Sequence, residues 1–84
     1  MNSLLITPEF FLNITANELM IEEQSISLET TFRDIATWSS LNALLYVSRI
    51  NDETNVLISS TDLASSRTLN DLYKIIVSRI NGTI

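Results

Sequence analysis

Two adjacent hydroxyls, Ser39 and Ser40, stand where a loop-like stretch gives way to the densely apolar run 41–50. A serine at the head of a helix has a structural use, because its oxygen can accept a hydrogen bond from an unpaired first-turn amide. It is also a place where chemistry can be attached. The residues by themselves leave both roles open for either serine. Other chemistry is scarce. The chain has no histidine, which removes the usual general base at neutral pH and the Ser-His-Asp and Cys-His nucleophile systems. It has no cysteine, so neither a disulfide framework nor a thiolate nor a cysteine zinc site can be built. Asp52 and Glu53 are neighbours on one predicted helix and point in different directions, which makes a solvated helix end the natural reading rather than a metal site. Catalysis by this chain alone is not expected.

The elements that must hold these serines come from a short chain. At 84 residues one domain, 1–84, is expected, and a domain of this size buries only about 60–65% of the surface of its unfolded chain. Ten acids against five bases give a net charge of −5, which disfavours nucleic-acid phosphates and favours basic protein partners. Hydrophobic residues at 45% make the chain too apolar for disorder, yet they are too evenly interrupted to cross a membrane. The N-terminus lacks a positive leader region and its apolar run Leu4-Leu5-Ile6 is far shorter than a signal core, so a cytoplasmic location is the default expectation. Glycosylation sequons at Asn13 and Asn81 are read as chance matches in that context.

With Gly82 and Pro8 the only residues of their kinds, tight hairpins have little to turn on, and an all-α fold is expected. Thr7 as N-cap, Pro8 at the first helical position and Glu9 beside the helix dipole start a helix over 8–23, with Leu12, Ala16, Leu19 and Met20 on one stripe and Phe11 and Ile14 beside it. Positions 24–37 show no sustained helical period, but Ile26, Leu28, Phe32 and Ile35 recur through them. That pattern predicts a long connection pinned to the core. A second helix over 40–52 carries two apolar stripes, Leu41/Leu44/Leu45 and Ala43/Tyr46/Val47/Ile50, so it needs several neighbours or leaves an apolar face for a partner. An extended stretch 56–58, one helical turn at 61–65 and a last helix opened by the Thr68/Asp71 capping box, with Leu69, Leu72, Tyr73, Ile76 and Ile80 at helical spacing, complete the plan.

This plan resembles the acyl carrier protein family, small acidic four-helix carriers with a long first loop and a short third helix. Phe32-x-Asp34-Ile35 resembles the motif that closes the family's long loop. Trp38-Ser39-Ser40-Leu41 stands where the family has Trp/Ala-Asp-Ser-Leu, whose serine bears 4′-phosphopantetheine. Val56-Leu57-Ile58-Ser59 is similar to the family's Val-x-Ile-Pro, and the stretch from Asp62 to Ile76 resembles its closing helix. The likeness is specific over about 22–80, and over the first helix it extends only to length and apolar pattern.

The resemblance implies that Ser40 is the attachment point of 4′-phosphopantetheine, transferred from coenzyme A by a phosphopantetheinyl transferase. The arm would supply the thiol that the chain lacks. It also implies partners such as an acyl ligase, ketosynthase or acyltransferase, a monomeric carrier that is not itself an enzyme, and a docking surface of Leu41, Asn42, Leu44, Leu45, Ser48, Asp52 and Ile58. Apolar faces of the second and last helices are expected to line a groove for the carried chain. Three positions depart from the family. Ser39 replaces the aspartate before the modified serine, Asn42, Leu45 and Ser48 stand where carboxylates are usual, and Ser59 replaces a proline. An alternative role follows from those departures, an unmodified carrier-shaped module that binds a partner through the second helix.

Overall fold

Thr7 opens the first helix as its sequence requires. Its hydroxyl accepts from the Phe10 amide at 3.1 Å, Pro8 takes the first helical position, and α1 runs Pro8–Leu19. The computed structural model describes residues 6–82, with the side chains of 81 and 82 left aside. The apolar run at the N-terminus, except Ile6, and Thr83 of the second sequon lie outside the described residues. After α1 come a turn of 3-10 helix at Glu23–Ser25 and another at Phe32–Asp34. Helix α2 spans Ser40–Thr54, α3 spans Ser60–Ser65 and α4 spans Leu69–Gly82. The all-α expectation of a four-helix bundle with a long first loop and a short third helix holds.

Helix α1 stops short of the expected boundary. Met20 adopts a left-handed conformation, φ 58° and ψ 48°, and the Ile21 amide turns back to the Ala16 carbonyl at 3.0 Å. This is a Schellman-type ending, which glycine or asparagine ordinarily announces. Met20 therefore leaves the apolar stripe and is 70% exposed, while Phe11, Ile14, Ala16 and Leu19 are buried and Leu12 is half-buried. Helix α2 extends two residues past expectation and ends on Asn55, also left-handed at φ 62°. Asparagine tolerates that region better than most residues.

The long loop is built into the bundle. Phe32 is fully buried, and Ile26, Leu28 and Ile35 pack half-buried against the core. Sequence patterning did not reveal how the loop also serves α4. The Leu69 amide donates to the Thr30 carbonyl at 2.9 Å and the Asn70 amide to the Leu28 carbonyl at 2.7 Å, around an antiparallel bridge between Thr31 and Thr68. First-turn amides have no partner inside their own helix, and here the loop supplies one. The Thr68/Asp71 box provides another, the Thr68 hydroxyl accepting from the Asp71 amide at 3.3 Å, while the Asp71 carboxylate accepts from the Thr68 amide at 3.0 Å and from the Arg67 amide at 2.9 Å.

The centre of the bundle is the continuous cluster of Phe11, Ile14, Tyr46, Ile50, Leu69, Leu72 and Ile76 with Phe32. Each such side chain contributes about 1.5–3 kcal/mol on burial. One polar pair sits among them. Thr15 and the Tyr46 hydroxyl share a 2.6 Å hydrogen bond, and Thr15 also donates to the Phe11 carbonyl at 2.9 Å. Burial pushes the Tyr46 phenol above its ordinary pKa, so it stays a neutral hydroxyl tying α2 to α1.

Candidate functional site

The two serines have different surroundings. Ser39 is extended at φ −154° and ψ 169°, and its hydroxyl accepts from the Asn42 amide at 3.1 Å, which makes it the N-cap of α2. Ser40 is the first helical residue, exposed, with its hydroxyl in no hydrogen bond among the described residues. The approach to it is fixed on both sides. The Asn42 side-chain amide donates to the Thr37 carbonyl at 2.7 Å, and the Thr37 hydroxyl donates to the Leu19 carbonyl at 2.6 Å, so the last turn before the helix is fastened to the end of α1. Trp38 anchors the same turn, half-buried, its ring 4.8 Å from Phe32 and edge-on to Tyr46 at 6.3 Å.

The first turn of α2 contains no acidic residue. The positive end of its dipole is uncompensated, a setting that stabilises a phosphate ester on a neighbouring hydroxyl. Ser40 also lies at the edge of an open cleft of about 290 Å³. Ala43, Leu44 and Val47 of α2 form one wall, and Ile58 and Leu63 form the other. The residues thus fit a phosphodiester-linked arm: a free hydroxyl, a favourable dipole and an apolar trough beside it. The arm supplies a thiol that can carry an acyl group as a thioester. The expected contribution of the last helix to this trough is absent, because Leu69, Leu72 and Ile76 of α4 are spent wholly on the core. The second wall comes instead from α3 and the segment before it.

The residues expected to meet partners divide into two groups. Leu41 at 65%, Leu44 at 66% and Leu45 at 48% exposure stand out from α2, with Ser48 and Asp52 also exposed. Asn42 is half-buried and occupied with Thr37, and Ile58 is 3% exposed and belongs to the second wall of the cleft. Arg49 has a role that its sequence position did not reveal. Its guanidinium reaches Glu18 of α1 at 2.9 Å and Glu53 at 3.0 Å, joining two helices and using up two carboxylates of this side. Among the described residues Asp52 is the acid of α2 outside any ion pair.

Ser59 resolves another departure. Its hydroxyl accepts from the Asp62 amide at 3.1 Å while Asp62 accepts from the Ser59 amide at 2.8 Å, a complete capping box heading α3. The sequence signal was present as Ser59-x-x-Asp62. Asp62 is also held by Arg79 of α4 through two bonds of 2.7 and 2.8 Å. The Arg79 guanidinium and the Ser59 amide hold its carboxyl far below the usual carboxylate range.

Two comparisons bear on this arrangement. Residues 9–76 match the family model described as the phosphopantetheine attachment site. An acyl carrier protein of Phytoplasma australiense is 36% identical over 59 residues, covering 70% of this chain and 78% of that protein. Ser39, which stands where the resemblance puts an aspartate, still caps α2 through its hydroxyl. With the match spanning all four helices, the chain belongs to the acyl carrier protein family, whose members carry acyl groups on a 4′-phosphopantetheine arm and are not themselves enzymes.

Proposed function

We propose that Ser40 is the residue that bears the 4′-phosphopantetheine arm, and that the chain shuttles a thioester-linked acyl or aminoacyl group between enzymes of fatty-acid, polyketide or related specialised synthesis. The observation that carries this reading is the contrast between the serines: the Ser39 hydroxyl is used by the helix cap, and the Ser40 hydroxyl is exposed and free at an acid-free helix start. The apolar cleft beside it favours an aliphatic acyl group over a polar aminoacyl one. A separate phosphopantetheinyl transferase loads the arm with magnesium. An acyl ligase, ketosynthase or acyltransferase then exchanges the cargo. The chain works as a single 1–84 domain, a cytoplasmic monomer. Among the described residues no helix is long and apolar enough to cross a membrane. Incubation with coenzyme A, magnesium and a broad-specificity transferase should add one phosphopantetheine by intact mass. Ser40→Ala should add none, while Ser39→Ala should still be loaded. A wild-type chain left unchanged where a control carrier is modified would sink the reading.

A second reading has its own support in the exposed Leu41, Leu44 and Leu45. In it the chain is an unmodified interaction module that grips a partner through α2. It requires that a candidate synthase component bind Ser40→Ala as well as wild type, and that Leu45→Glu abolish that binding. Binding that depends on the loaded arm would exclude it.

A further inference from the structure

Carriers of this charge invite a basic partner, yet α2 has almost no acid left to offer. Among the described residues the ion pairs are Arg49 with Glu18 and Glu53, and Arg79 with Asp62, so those three carboxylates are already neutralised within the bundle. Of the seven other acids four gather elsewhere, while Glu9, Asp52 and Asp71 are dispersed over the helices. Glu22, Glu23, Glu29 and Asp34 all lie in the connection between α1 and α2 and are all exposed. The base in that segment, Arg33, does not balance them. Its guanidinium lies 4.7 Å from the Phe32 ring centroid and donates to the Ser66 and Leu63 carbonyls, holding the segment to the α3 end.

The same connection contains a groove of about 360 Å³, separate from the cleft beside Ser40. Ile21, Ile26 and Ile35 give it apolar walls, Thr30 and Thr31 line it, and Asp34 contributes a carboxylate. The groove is preformed. Thr30 and Thr31 are pinned by the α4 amide and the bridge to Thr68, and Thr37 just beyond it is bonded to the end of α1. Ala36 of the lining is four residues from Ser40, so the two Cα atoms are at most about 14 Å apart along the chain.

We propose that this groove is the electrostatic docking site of the carrier, and that its occupant is a basic amphipathic segment of a partner enzyme, an apolar side chain seated between the isoleucines with lysine or arginine facing Asp34 and the flanking glutamates. The partner's identity as an enzyme rests on the carrier reading; the docking chemistry does not. An apolar anchor ringed by complementary charge gives fast, short-lived association, which suits a shuttle. The lining includes neither Ser40 nor the leucines of α2, which leaves both for contacts of a different kind.

The test uses the unloaded full chain and two synthetic probes, a leucine/lysine amphipathic helical peptide and its leucine/glutamate counterpart, followed by amide shifts in NMR titration. The lysine peptide should shift Ile21, Ile26, Asp34 and Ile35, and weaken as salt rises. Asp34→Lys should lower its affinity by about tenfold, the scale of a lost charge-assisted contact turned repulsive. Asp52→Asn should leave it within about twofold, since α2 is not the contact. A melting curve for Asp34→Lys like that of wild type shows that the groove, not the fold, was changed; if it melts early, Asp34→Asn with a smaller loss replaces it. Shifts centred on Leu41 and Leu44, equal binding of both peptides, or no binding would overturn the proposal. Loading by the transferase is read separately, so a chain that binds the lysine peptide but takes no arm refutes the carrier reading alone.

Discussion

At the scale of single residues, the pair Ser39 and Ser40 divides one task into two. Ser39 gives its hydroxyl to the Asn42 amide and so frees its neighbour. Ser39→Ala should cost about 1 kcal/mol of stability in urea titration, the ordinary value of a lost N-cap, while loading continues. Ser39→Asp should keep the cap and add a charge at the positive end of α2, leaving stability equal or up to about 1 kcal/mol higher. Both serines were visible in the sequence, and so was the possibility that one caps while the other carries. The resemblance singled out Ser40 for the arm, whereas the cap geometry was not legible, because it depends on the extended backbone of Ser39. The half-buried state of Asn42 was equally hidden, since its bond to Thr37 joins a loop to a helix and leaves no periodic trace.

At the scale of elements, boundaries are set by local chemistry that is only partly written in propensity. The ends of α1 and α2 fall on Met20 and Asn55, both left-handed. A methionine there gives no warning, which is why the apolar period suggested four more residues of helix. Left-handed backbone costs a residue with a Cβ about 1–2 kcal/mol. Met20→Gly should therefore stabilise the fold by about 0.5–1 kcal/mol after the extra chain entropy of glycine is set against the relief, and an unchanged or lower urea midpoint would contradict the cap. Short α3 is kept helical by its capping box and by Arg79. The folded Asp62 carboxyl titrates below its unfolded value of about 3.9, so its contribution is complete above that pH and is lost as pH falls through the folded value. Acid unfolding of wild type should therefore show a component between those limits that Asp62→Asn lacks, read by circular dichroism against pH.

At the scale of the whole molecule, one core serves four helices and a loop that behaves as a fifth wall. The apolar period of α1, α2 and α4 announced most of that core, including Phe11, Tyr46, Leu72 and Ile76. It did not announce Thr15, whose hydroxyl satisfies Tyr46, nor the loop carbonyls that receive the first amides of α4, because both are long-range pairings between residues with no common pattern. The cleft wall shifted from α4 to α3 for a related reason: a face consumed by the core cannot also line a groove. The carrier reading expects sedimentation at micromolar concentration to show a monomer, and a dimer would assign the exposed leucines 41, 44 and 45 to a self-interface. The charge is uneven too, with α2 nearly spent and the first loop acidic, and the proposed docking groove lies in that loop. All of this serves a carrier only if the arm sits where the cap leaves a hydroxyl free. Fragmentation of the loaded chain by tandem mass spectrometry, with cleavage between residues 39 and 40, tests that directly. The added phosphopantetheine should travel with the fragment that begins at Ser40; its appearance on the fragment ending at Ser39, or on any other residue, would contradict the account.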